Sequence, residues 1–88
     1  MNLTSALLKQ IIIQEDFESW GSLRENYLSA EYQSLYKVID SHIKNFNSLP
    51  TFEDLKLSIR DRKLQEKVFA IEAVEVDVDA WVLLEYLK

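Results

Sequence analysis

The chain has 88 residues, 48% of them hydrophobic and 11% aromatic, which leaves room for one core and excludes both a second domain and a disordered tail. It has no cysteine, so neither disulfides nor thiolate metal sites can staple the fold, and stability has to come from packing. A net charge of -5 and a pI near 4.8 work against a generic grip on a phosphate backbone, which rests on exchanging cations for counterions.

One glycine, Gly21, and one proline, Pro50, supply almost none of the punctuation that tight hairpins need. The expected class is therefore all-α: a small single-domain bundle of about five or six short helices over 1–88. The first helix is predicted from Thr4, a suitable N-cap, to Gln14, with Leu7, Leu8, Ile11 and Ile12 at helical spacing. The run Ile11-Ile12-Ile13 also reads as strand, but the leucines before it favour helix. It is the longest apolar run and falls far short of the roughly 20 residues of a membrane span.

A second helix is predicted over about Asp16 to Leu28, with Phe17, Trp20, Leu23 and Tyr27 on one face and Glu15 and Asp16 near its positive N-terminus. Gly21 lies inside it and weakens it by ~1 kcal/mol relative to alanine. The third helix starts at Ser29 as N-cap and carries Tyr32, Leu35, Tyr36, Ile39, Ile43 and Phe46 on a core-facing stripe. It stops at Asn45-Phe46-Asn47-Ser48, because Pro50 biases Leu49 away from helical dihedrals. Thr51 then caps a fourth helix, with Asp54 standing where a capping box prefers glutamate, and Phe52, Leu55 and Ile59 form its stripe to about Arg60.

The cluster Arg60-Asp61-Arg62-Lys63 is a polar join to a fifth helix over about Lys63 to Val74, with Leu64, Val68 and Ile71 inward. From Val74 to Val78 the pattern alternates as a strand would, and an extended linker is preferred. Asp79 caps a last helix through Trp81, Leu84 and Leu87, whose apolar pattern reaches Lys88 without a stop signal. The expectation is a domain cut from a longer protein. The start Met1-Asn2-Leu3-Thr4 has no basic region ahead of an apolar stretch, so no secretory signal is read and a cytoplasmic setting is expected.

The chemistry-bearing residues are sparse. A phosphate-binding P-loop needs at least two glycines and a following lysine, and Gly21 stands alone. His42 is the only histidine, which excludes paired-histidine metal spacing and favours a helix-surface or satisfied boundary residue. Glu75, Asp77 and Asp79 alternate like part of a calcium loop but lack its glycine turn and terminal glutamate, so linker and cap are the better reading. The basic run at Arg60 to Lys63, near Lys56, is interrupted by Asp61 and has no interleaved aromatics for base stacking; it reads as a solvated junction, and direct DNA contact is not expected. No catalytic residue, cofactor or metal site is predicted within these residues. The tyrosines at 27, 32 and 36 and the tryptophans at 20 and 81 are mainly core by position, with part of the set free to anchor a partner.

The segment from Tyr36 to Ile43, then Phe46-Asn47-Ser48-Leu49-Pro50-Thr51 and Leu55, resembles the N-terminal domain of DnaB-type replicative DNA helicases, especially those of large tailed bacteriophages. The order agrees over nearly the whole chain: Leu7 to Ile13 stands where that family has its opening Leu/Ile helix, and Trp81 to Leu87 where it has a tryptophan and an apolar helix. The resemblance implies the collar of a hexameric ring, serving ring assembly and contact with primase or other replisome proteins in the cytoplasm of a bacterial host. The ATP or other NTP, and the Mg, would belong to a RecA-like motor domain beyond these residues. The family's long pairing hairpin follows the globular helices, and Lys88 falls within what would be its first part, so a monomer or weak dimer is expected of this segment alone.

The alternative is a free-standing small acidic phage or bacterial regulator that binds a host protein through its negative surface. In either case the residues expected to touch a partner are Trp81, Leu84 and Leu87, because an unfinished helix leaves that stripe least able to find a home inside.

Overall fold

In the computed structural model, which describes residues 3–87, five helices and one 3-10 turn pack around a sixth helix that is buried over most of its length. That central helix is α1, Leu3–Gln14. From Ser5 to Ile12 only Lys9 is not buried, so the apolar residues face several neighbours rather than one. A helix that is apolar around its whole circumference has to be packed on all sides. Burial of side chains such as Leu7, Leu8 and Ile11, each 1% exposed or less, contributes about 1.5–3 kcal/mol apiece. Thr4 is already helical, so it does not serve as the expected cap.

The helix closes on a left-handed residue. Glu15 has φ 50, the Asp16 N–H donates to the Ile11 carbonyl at 3.0 Å, and the Glu15 N–H reaches Ile12 at 3.4 Å. Those two bonds form a Schellman closure with glutamate where glycine is usual. The chain then turns into α2, Phe17–Ser22, capped by Asp16, whose carboxylate accepts from the Ser19 N–H at 3.0 Å and the Ser19 hydroxyl at 2.7 Å.

The predicted second helix does not run through to Leu28. It stops at Ser22, Leu23 is extended, and Glu25–Tyr27 forms the 3-10 turn. Gly21 and Ser22 are successive weak helix formers, and a continuous helix would turn Leu28 about 140° away from Leu23. The break lets both leucines reach the core, at 2% and 4% exposure. Phe17, expected on the inner face, is instead exposed.

Helix α3, Ala30–Phe46, carries Tyr32, Leu35 and Ile39 into the core. Ser29 occupies its N-cap position without a side-chain capping bond. Trp20 and Tyr36 stack with ring centroids 4.6 Å apart, and the Tyr32 hydroxyl is 2.9 Å from that of Ser5. The core ends before the helix does: Ile43 is half-buried, and Phe46, placed on the inner stripe by its spacing, is exposed. Asn47 at φ 57 terminates α3, and Leu49 and Pro50 are buried beyond it.

Helix α4, Phe52–Ser58, starts with the anticipated box: the Asp54 N–H donates to Thr51 Oγ1 at 3.1 Å and the Thr51 N–H to Asp54 Oδ2 at 3.0 Å. It ends two residues before Arg60, with Ile59 extended and buried. Helix α5, Arg62–Ala73, is capped by Asp61, whose Oδ1 accepts from the Leu64 N–H at 3.0 Å. Lys56 of α4 bridges to Glu72 of α5 at 2.7 Å, and Lys67 of α5 bridges to Glu31 of α3 at 3.4 Å.

The segment from Val74 to Asp79 is extended without a strand partner among the described residues. Its valines at 74, 76 and 78 are half-buried while Glu75, Asp77 and Asp79 face solvent, which accounts for the strand-like alternation. Three polar side chains of α1 hold it. Lys9 Nζ donates to the Val74 carbonyl, Gln10 Nε2 donates to the Val78 carbonyl at 2.7 Å, and Gln14 Nε2 donates to Asp79 Oδ1 at 3.0 Å. Gln14 Oε1 also accepts from the Ala80 N–H at 3.3 Å, which satisfies a first-turn donor of the last helix. That helix, α6, spans Ala80–Leu87 and packs chiefly on α1 and secondarily on α2.

Candidate functional site

The outward side of α6 is where the fold leaves large aromatics uncovered. Taking about 100° per residue, Ala80, Leu83, Leu84 and Leu87 fall within one arc of about 100°, while Trp81, Val82, Glu85 and Tyr86 fill an opposed arc of about 140°. Burial follows that division: Ala80, Leu83 and Leu84 are at most 4% exposed, whereas Trp81 is 60% and Tyr86 76% exposed.

The three residues expected to meet a partner therefore separate. A three-residue step falls about 60° short of a full helical turn, so a stripe at that spacing slides across the helix face. Trp81 lies outside, Leu84 is in the core, and Leu87 is half-buried on the inward arc. The expectation that this stripe finds no home inside is thus corrected for Leu84, which packs with the residues of α1 and α2 in one core. Tyr86 was missed because its five-residue offset from Trp81 fits no simple apolar stripe.

Trp81 and Leu84 still share a feature. Together with Asp16, Glu18, Ser19, Ser22 and Glu85 they line a groove of about 430 Å³ between α2 and α6. Leu84 forms part of its floor and Trp81 stands at its edge, with three carboxylates and no cation in the lining. The Asp16 carboxylate is engaged in capping α2, and Glu18 lies in the first turn of that helix. The groove therefore offers an aromatic wall in a negative field, which suits a partner presenting apolar and basic side chains.

His42 and the basic run belong to other elements of the fold. His42 Nε2 lies 4.0 Å from Asp54 Oδ2, and its ring packs against Phe46 with centroids 4.7 Å apart. The Asp54 carboxyl is held below its ordinary 3.8, first by the backbone N–H of Thr51, with the Thr51 side chain and His42 acting in the same direction. Burial pushes the Tyr36 phenol up, with Asp40 and Glu25 adding to the effect. In the basic run Asp61 caps α5 while Arg60, Arg62 and Lys63 are exposed. Among the described residues no group of three or more His, Cys, Asp or Glu side chains is placed to hold a metal ion, and no helix is long and apolar enough to cross a membrane. Comparison with protein-family models, curated proteins and solved structures gives no match to this chain.

Proposed function

We propose that this domain is a non-catalytic protein-docking module, and that it forms part of the N-terminal collar of a hexameric DnaB-type replicative helicase. The observation that carries the docking role is the outward arc of α6, where Trp81 and Tyr86 lie 60% and 76% exposed although the same short helix buries Ala80, Leu83 and Leu84. Tryptophan and tyrosine are large anchors with few rotors to freeze, so they contribute much contact area at low entropic cost. The adjoining carboxylates orient a basic partner surface and disfavour an acidic one.

The collar reading is supported by the helix-proline-helix segment from Tyr36 to Leu55 and its resemblance to that family. In this reading the partners are neighbouring helicase subunits and primase or other replisome proteins, and NTP hydrolysis belongs to a RecA-like domain outside these residues.

Two measurements test the proposal. The coding sequence read past codon 88 is expected to encode a P-loop and a RecA-like sheet, and a stop codon at that point overturns the helicase assignment. In the full gene product, Trp81→Ala with Tyr86→Ala is expected to reduce subunit or primase association at least tenfold in analytical ultracentrifugation and pull-down, while the far-UV melt stays close to the parent. Unchanged association overturns the docking role of α6, and so does loss of folding in the single Trp81→Ala variant, which makes that side chain structural.

A further inference from the structure

A second groove, on another part of the molecule, has the opposite electrostatic character. It measures about 470 Å³ and lies between the C-terminal half of α3, helix α4 and the start of α5. Val38, Leu55, Ile59 and Leu64 give it an apolar floor, and the Phe46 ring, 66% exposed, stands at one side. Lys37 and Arg60 are its charged lining residues, and none of its lining residues is a carboxylate. In a chain with 15 acidic and 10 basic residues, a groove that excludes every acid runs against composition. The groove beside α6 has three acids and no base, so the two surfaces select different partners.

Both cations are positioned to change partners. Lys37 meets Glu25 at 3.8 Å with side chains 69% and 41% exposed, a solvated pair that contributes little and exchanges readily. Arg60 has no ion pair among the described residues, and its neighbour Asp61 is engaged with the α5 N-terminus. The link that carries Arg60 is fixed: the Ile59 N–H donates to the Leu55 carbonyl at 3.0 Å, and Gln65 Nε2 donates to the Ile59 carbonyl at 2.5 Å. With the backbone before it held, mainly the side-chain rotamers of Arg60 remain to be ordered when its guanidinium meets a carboxylate.

We propose that this groove binds a short acidic-apolar segment of a partner protein, its one or two large apolar side chains seated on the Val38-Leu55-Ile59-Leu64 floor against Phe46 and its flanking carboxylates paired with Lys37 and Arg60. The volume suits a few side chains of a linear motif rather than a folded domain. A nucleic-acid strand fits less well, because it brings a phosphate charge at every unit to a protein of net charge -5, while the groove offers only the rings of Phe46 and His42 for base stacking. This inference is independent of the docking role of α6.

The test uses a fluorescein-labelled peptide with Phe and Leu at its centre and Asp on both flanks, titrated with the protein by fluorescence anisotropy at low salt. A second peptide with Lys in place of Asp and a single-stranded oligothymidylate serve as competitors of other chemistry. Saturable binding of the acidic peptide is expected, weakened at least tenfold by Lys37→Glu with Arg60→Glu and at least fivefold by Phe46→Ser. All three positions are exposed, and far-UV spectra are expected to keep the parent's helicity. Amide shifts in a heteronuclear spectrum should cluster at the α3 C-terminus and the α4–α5 link. The proposal fails if the acidic peptide does not saturate, if the lysine peptide or oligothymidylate binds more tightly, if the charge-reversed variant binds as the parent does, or if the shifts map to α6.

Discussion

Replacing Gln10 with methionine removes one donor while preserving the length and flexibility of the side chain and its helix propensity. Gln10 is 6% exposed, and its Nε2 holds the Val78 carbonyl at 2.7 Å, where the extended segment turns toward α6. An ordinary intramolecular hydrogen bond is worth ~1 kcal/mol net, and stranding a fully buried polar group costs up to ~3 kcal/mol. The bond is part-buried, so the expected loss is intermediate, about 1.5 kcal/mol. In a domain of this size that lowers Tm by roughly 6–12 °C. Thermal unfolding followed by far-UV circular dichroism, with a urea titration to check that the m-value is unchanged, measures it directly. Gln14→Met is the comparison: Gln14 is exposed, and losing its bonds to Asp79 and Ala80 is expected to cost only ~0.5 kcal/mol. A Gln10→Met variant melting within about 2 °C of the parent would refute the reasoning, because the three valines alone would then hold the segment on α1.

Two further outcomes follow from backbone and charge. Glu15→Gly is expected to raise stability by ~1 kcal/mol, since Glu15 sits at φ 50 where a Cβ is unfavourable, and a lower urea midpoint would show that its side chain matters more than its dihedral. Asp54 has a folded-state carboxyl pKa below its ordinary 3.8, so its contribution is present in full above that range and is lost as pH falls through it toward the folded value. Urea midpoints measured at neutral pH and near pH ~3 should therefore converge between the parent and Asp54→Asn on the acid side, and an identical drop in both proteins refutes the cap's electrostatic role.

The parts of the fold that the sequence states locally are the parts that read correctly. Thr51 with Asp54 is a cap that two residues define between them, Asn47 and Pro50 stop α3 by their own dihedral preferences, and valines alternating with acids at 74–79 mark an extended segment with one side turned in. The break in the second helix was not legible, because Gly21 and Ser22 weaken a helix without forbidding it and the deciding gain is burial of Leu23 and Leu28 in a core assembled from distant residues. The hold of α1 on the extended segment was hidden for a different reason. Its acceptors include the backbone carbonyls of Val74 and Val78, more than sixty positions away, and every residue type carries such a carbonyl.

The candidate site was half legible. Chain position and residue type singled out Trp81, but reading Leu84 and Leu87 onto its face ignored the drift of a three-residue step around a helix. The groove beneath Phe46 was invisible for a related reason: the stripe on α3 is continuous in sequence, and only the packing of α4 and α5 decides where the core stops covering it.

The pairing of α1 with α6 also governs the order in which the domain can be made. A ribosome delivers Leu7, Leu8, Ile11 and Ile12 first, and their main cover on α6 lies at residues 80–87, so native packing cannot close until nearly all of the described chain has emerged. Contacts between elements so far apart in sequence are slow to form, and the helix with the most buried residues in the native fold waits exposed meanwhile. A nascent chain halted before residue 80 is therefore expected to be a chaperone client, and the domain to fold in one late step rather than helix by helix.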